Sequence, residues 1–221
     1  VLADLRLFQL VSPTLPIGGF TYSQGLEWAV EAKWIRNDRE LEQWLQAMLE
    51  FSVSSLEVPV LLRLQRAFNA GEADIARRWC RFLIASRETE ELRREERQRG
   101  AALARLLPGL DIATPAGMED IVAASQLCGI ALAADRWHID PIKSCAGYCW
   151  NWMENAVTAG VKLVPLGQTQ GQQLLFRLSE QVPAAIARAM ALGDDDIGSC
   201  TPALAIASSC HETQYTRLFR S

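Results

Sequence analysis

Asn37-Asp38-Arg39-Glu40-Leu41-Glu42-Gln43-Trp44-Leu45-Gln46-Ala47-Met48-Leu49 is the stretch on which the fold class turns. Its apolar residues Leu41, Trp44, Leu45, Met48 and Leu49 fall at i, i+3, i+4, i+7 and i+8, which sets them on one helical stripe. Asn37 or Asp38 stands just ahead, where a short oxygen-bearing side chain can accept a free backbone N–H. The same period returns downstream. A long helical stretch runs from about Ala73 to Leu107, with Ile75, Trp79, Phe82 and Leu83 facing one way, Gly71 before it and Pro108-Gly109 ending it. Residues 119–135, 140–163 and 171–191 read as further helices, with Pro115, Asp140-Pro141 and Ser179 as start signals and Gly193 after the last. No run alternates over strand length, and no repeat has a solenoid period. The expectation is an all-α fold: a single compact helical domain of roughly eight to ten helices. Residues 1–202 form its body, and residues 203–221 form a C-terminal docking segment set off by the linker-like stretch from Asp194 to Pro202.

The composition narrows the function. The chain has 221 residues, 49% of them apolar and 22% charged, so it can bury a core and is too apolar for disorder. Its net charge of −4 and pI near 5.3 give no basic surplus for nucleic-acid phosphates. No run of consecutive apolar residues approaches the ~20 of a membrane span, so neither nucleic acid nor membrane is an expected partner. Pro13, Pro16, Gly18 and Gly19 break the only candidate leader segment, and a start at Val1 implies a missing initiator Met. Six cysteines without framework spacing point to free thiols in a reduced, cytoplasmic setting.

Chemical constellations are sparse. Arg87 to Arg99 holds five Arg against five Glu, with Glu90–Arg94 and Glu95–Arg99 in the favourable i, i+4 order. A solvated helix face is the default for such a run, and a charged partner-binding face is the alternative. Cys145 and Cys149 are i, i+4 on a helix, but a stable metal site needs three or four ligands and His138 and His211 are the only histidines. Cys210-His211 is a weak dyad, because adjacent residues point to different sides of a helix. No phosphate loop, nucleophile elbow or HExxH is present, and Ser23 has no histidine near it in sequence. Pro13 to Glu27 forms a loop leading into a helix, and Pro165 to Gln173, with Lys162 one turn ahead, puts four glutamines and two glycines at a helix corner. In the last eleven residues, read as a helix, His211, Tyr215 and Leu218 share a stripe with Phe219, opposite Thr213, Thr216 and Arg220. Such a stripe docks either into its own core or into a partner's groove.

Four of these strings carry a resemblance. LPIGGFTYSQGLE (15–27), RQRG (97–100), ENAVTAGVKLVPLGQTQGQ (154–172) and HETQYTRLFRS (211–221), in that order and spacing, resemble the UreF-type urease accessory proteins. The resemblance covers nearly the whole chain and implies a helical, homodimeric, cytoplasmic protein that is not an enzyme and holds no cofactor or metal. It implies a scaffold joining a UreD/UreH-type accessory protein to the nickel-carrying UreG-type GTPase, for nickel insertion into apo-urease, and a modulating effect on that GTPase. The partner-binding residues it implies are Gly18, Gly19, Tyr22, Ser23 and Glu27, then Arg97 and Gly100, then Asn155, Lys162, Gln168 and Gln172, and finally His211, Glu212, Tyr215, Arg217, Leu218 and Phe219. Tyr22, Glu27 and Lys162 are expected on the GTPase side and the C-terminal segment on the UreD/UreH side. The alternatives are a direct nickel carrier using Cys and His side chains, and a hydrolase of small substrates using Ser23 or a thiol.

Overall fold

In the computed structural model, which describes residues 1–221, the chain is helical throughout and has no strand. The α-helical segments are α1 (Leu2–Val11), α2 (Leu26–Glu31), α3 (Asp38–Met48), α4 (Val58–Ala70), α5 (Ala73–Ala85), α6 (Glu90–Leu106), α7 (Glu119–Ala124), α8 (Gln126–Arg136), α9 (Pro141–Leu163), α10 (Gln168–Ser179), α11 (Val182–Ala191) and α12 (Pro202–His211). Taking α3 and α4 as the one rod they form, and setting aside the six-residue α2 and α7, nine helices remain, within the expected range.

That rod, Asp38–Ala70, begins where the Asn37 side chain accepts the Glu40 N–H at 3.0 Å. It passes through a π-helical stretch, Leu49–Glu57, before continuing as α4. The Asp194–Pro202 linker lies along this stretch: Gly198 N–H donates to the Ser55 carbonyl and Cys200 N–H to that of Phe51. The rod is long and apolar enough to cross a membrane, which a count of consecutive apolar residues did not foresee. Since 67% of its most apolar window is buried inside the protein, it serves as a core helix. α8 is the other central element; every residue from Gln126 to Asp135 is buried, as in a helix apolar on all sides. The main apolar core reaches from Leu10 of α1 to Phe219 near the C-terminus, with Met48, Leu92 and Leu204 as a small satellite.

Three of the expected helices break, two at a residue with a better local bond to make and the third ahead of a proline. The Ala73–Leu107 stretch stops after Ala85, because Thr89 turns its hydroxyl to the Leu92 N–H at 3.2 Å and starts α6. The 119–135 helix breaks at Ser125, which accepts the Leu127 N–H and donates to Glu96. The 171–191 helix starts earlier, at Gln168, and is interrupted at Glu180–Gln181 ahead of Pro183. The C-terminal stripe is a larger correction. The helix ends at His211, and residues 212–221 run on as turns, in which the Leu218, Phe219 and Arg220 N–H groups bond to α2 and its preceding loop.

Candidate functional site

The loop before α2 turns through left-handed backbone at Gly18 (φ 74°), Gln24 (φ 53°) and Gly25 (φ 79°). At Gly25 a side chain is doubly excluded, since a Cβ would also lie 2.8 Å from the backbone N of Ser208 in α12. This close approach of α2 to α12 sets Glu27, in the first turn of α2, beneath the C-terminal tail. Its buried carboxylate is the tail's main fastening. One oxygen accepts the Leu218 N–H at 2.6 Å; the other accepts the Phe219 N–H at 2.9 Å and faces His211 Nε2 at 3.2 Å.

His211, 0% exposed, spans two carboxylates, because its Nδ1 lies 2.8 Å from Glu91 on α6. A ring carrying both N–H groups donates to both; a neutral ring turns a lone pair toward one carboxylate. The second oxygen of Glu91 accepts from Arg217 at 2.7 Å. Two carboxylates thus face one guanidinium and one imidazole. Glu212 closes the arrangement by accepting the N–H groups of Glu90 and Glu91 at the start of α6. Beyond it, Arg220 N–H donates to the Thr21 carbonyl, the Ser221 carbonyl accepts from Ser23 Oγ and the Gln24 N–H, and Phe219 is buried with Lys162 Nζ 5.6 Å from its ring centre.

A second buried polar group adjoins the first. Arg87 bonds Glu57 (2.7 Å) and Glu96 (2.8 Å), while Tyr148 donates to Glu57 (2.6 Å) and Ser125 to Glu96 (2.6 Å). Burial alone would raise the pKa of Glu57, but Arg87 and Tyr148 together hold it below the usual carboxylate range. Burial would lower that of Arg87, but Glu57 and Glu96 hold it well above the ordinary value. Glu95, bonded to Arg99 at 2.9 Å and to Gln24, goes the other way: burial outweighs Arg99 and pushes it up. Burial, reinforced by Glu95, also raises Tyr22, whose hydroxyl donates to Gln98.

The charge run of α6 is therefore not a solvated face. Glu91, Glu95, Glu96 and Arg99 are buried: each of the three carboxylates has a partner supplied by another element, and Arg99 is paired with Glu95 along the helix; Glu90–Arg94 is the pair that stays in solvent. Sequence reasoning marked the Arg87–Arg99 run and its Glu95–Arg99 pair but not their burial, and singled out neither Gln24 nor Glu57. A signal was present: Leu92, Glu96, Arg99, Leu103 and Leu107 lie at i, i+4, i+7, i+11 and i+15, so the two charges sit within an apolar stripe.

Of the expected site residues, Tyr22, Ser23, Glu27, Gly100, His211 and Phe219 are buried, and Gly18, Gly19, Asn155 and Glu212 are half-buried. Lys162, Tyr215, Arg217 and Leu218 are exposed on or beside the tail. Arg97, Gln168 and Gln172 are exposed and take no part in either buried group. Glu27 and the C-terminal segment, expected on opposite partner faces, are bonded to each other.

For metal binding, no group of three His, Cys, Asp or Glu side chains is arranged to hold an ion. Cys145 and Cys149 are buried, and burial pushes both thiols up, that of Cys145 to about 12, which disfavours the thiolate that a metal requires. Ser23 Oγ donates to the Ser221 carbonyl at 2.7 Å, so it is committed to the tail.

With this geometry in hand, the chain can be set beside known proteins. A family model described as UreF matches residues 35–179. The urease accessory protein UreF of Pseudomonas putida strain W619 is 54% identical over 220 residues, covering 100% of this chain and 98% of that protein. The UreF of Alcanivorax borkumensis strain SK2 is 51% identical over 225 residues (99% and 98% covered), and that of Enterobacter sp. strain 638 is 48% identical over 218 (99% and 97%). The span of the family model leaves out Glu27 and the tail, whereas the full-length relatives cover both.

Proposed function

The chain belongs to the UreF family of urease accessory proteins, and from that premise we propose that it works as a scaffold in urease maturation, without catalysis of its own. In this reading it is a cytoplasmic homodimer. It joins a UreD/UreH-type accessory protein to a nickel-carrying UreG-type GTPase, modulates that GTPase, and so serves nickel insertion into apo-urease. The observation that carries the reading is the fastened tail. Its backbone is held by buried charge, yet Tyr215 is 102% and Leu218 67% exposed. Large apolar side chains on a pre-ordered backbone are what a partner interface uses as anchors, since little ordering entropy is lost on docking.

The UreD/UreH-type partner accordingly docks on the tail through Tyr215 and Leu218. Glu27, His211, Glu91 and Arg217 position those anchors, and exposed Lys162 is the group left to meet the GTPase. The alternative of a nickel carrier draws no support from the buried, proton-retaining thiols of Cys145 and Cys149. The test is co-elution with both accessory partners, for wild type and for Tyr215→Ala/Leu218→Ala. Wild type is expected to bind both partners, and the variant to keep its helicity and lose the UreD/UreH-type one. Failure of wild type to co-elute, with apo-urease activation surviving deletion of the gene, overturns the proposal.

A further inference from the structure

At Gly100, α6 crosses the α7–α8 junction so closely that a Cβ there would lie 2.6 Å from the backbone N of Ser125. The crossing sets Arg99, just before the glycine, against Gln126, just after the serine. Both line a polar cavity of about 20 Å³ shared with Gly19, Gln24, Tyr148 and Asn155. Three of the strings that are far apart in sequence meet on its walls.

The polar groups around the cavity are nearly all paired. Gln24 bonds Glu95 and Trp152, Tyr148 donates to Glu57, Asn155 donates to Asn151, and Arg99 Nη1 donates to Glu95. Among the fully buried side-chain atoms there, two have no protein partner, Arg99 Nε and Gln126 Oε1, on side chains 6% and 4% exposed. One is a donor and the other an acceptor. Leaving either unmet in the interior is costly, so buried polar atoms in native proteins almost always find a partner.

We infer that this cavity is the site of one structural water, which accepts from Arg99 Nε–H and donates to Gln126 Oε1. The volume fits a single water, which needs at least ~10–15 Å³ of such space. The chemistry is selective as well. A bare cation cannot accept the guanidinium hydrogen, and a simple anion cannot donate to the amide oxygen; water does both. Bound there, it joins α6 to α8 beneath the loop that carries Tyr22 to Glu27.

The test is a crystal structure of the full chain at a resolution that shows ordered water, together with oxygen-17 relaxation dispersion on wild type and Gln126→Met. The expected results are a water peak within hydrogen-bonding distance of both atoms, and one fewer long-lived water in the variant. A direct Arg99–Gln126 bond in the density, an ion at that position, or an unchanged water count in a folded Gln126→Met overturns the inference. Should that variant not fold, the wild-type density decides alone.

Discussion

Glu27→Ala takes away the acceptor of the Leu218 and Phe219 N–H groups and the carboxylate facing His211 Nε2 in a single step. Hydrogen bonds to a charged group contribute about 1.5–3 kcal/mol each and do not add independently. Removing one partner from a buried charged cluster costs about 3–5 kcal/mol overall. The tail has a way out that the core lacks: released into water, its stranded N–H groups are solvated, and what is given up is the burial of Phe219, about 1.5–3 kcal/mol. The loss should therefore appear first as local opening. At 1.4 kcal/mol per tenfold, about 3–5 kcal/mol raises the open fraction by roughly a hundredfold to a few thousandfold. Hydrogen exchange read by mass spectrometry on a peptide spanning residues 212–221 measures it, with the thermal midpoint of the whole chain as companion. If tail and body separate, exchange accelerates and the midpoint barely moves; if they unfold together, the midpoint falls by about 6–20 °C. Glu27→Gln, which keeps one acceptor oxygen, falls between. Wild-type exchange in the tail peptide together with a wild-type midpoint would refute the argument that this carboxylate fastens the tail.

Gly100→Ala drives a methyl group into the Ser125 backbone and is expected to cost about 1–3 kcal/mol as overpacking, whereas Gly109→Ala, with nothing within 4 Å, serves as control; equal thermal midpoints for the two would refute the close crossing. Arg87→Met leaves Glu57 and Glu96 buried without their cation and should lower stability by about 3–5 kcal/mol in urea titration. For pH, the folded pKa of Glu57 is depressed, so its contribution is full above the ordinary Glu value and is lost as pH falls through the folded one. Glu95, raised by burial, acts in the opposite sense, so Glu95→Gln should steepen the loss of stability as pH falls through the raised folded pKa toward the ordinary Glu value. A urea midpoint that climbs steadily toward acid would contradict the Glu57 assignment, and a Glu95→Gln profile no steeper than that of wild type would contradict the Glu95 one. Tyr215→Ala and Leu218→Ala, at exposed positions, should change stability by no more than ~0.5 kcal/mol while weakening partner association; a large thermal loss would make the tail's outer face part of the core.

Helix type was legible wherever pattern and cap agreed. The Leu41–Leu49 stripe behind Asn37 and the Asp140-Pro141 start of α9 are formed by bonds made within a few residues. What the sequence concealed depends on long-range pairing. Glu96 lies in an apolar stripe, but its partners Arg87 and Ser125 are known only once the fold brings them to it, and Glu91 reads as surface until His211 and Arg217 arrive from more than a hundred residues away. The tail misled for the same reason. Its spacing allows a helix, but Glu27 offers the Leu218 and Phe219 N–H groups a charged acceptor, and a charged acceptor outbids a carbonyl one turn back. Each of the four strings contributes residues to the candidate site, although Arg97, Gln168 and Gln172 take no part in its buried groups.

The π-helical stretch at Leu49–Glu57 makes the rod from Asp38 to Ala70 a two-phase object. Each residue of an α-helix advances about 100° around the axis. Deleting one residue between 49 and 57 shortens the rod by little, but turns α4 by nearly a third of a revolution against α3. Leu64, 0% exposed, would move to the half-buried place of Arg63, and Arg66 would swing into the buried place of Gln65. Among relatives, a single-residue gap in this segment is thus a change of angle, tolerated only where the whole apolar stripe of α4 has shifted by the same step.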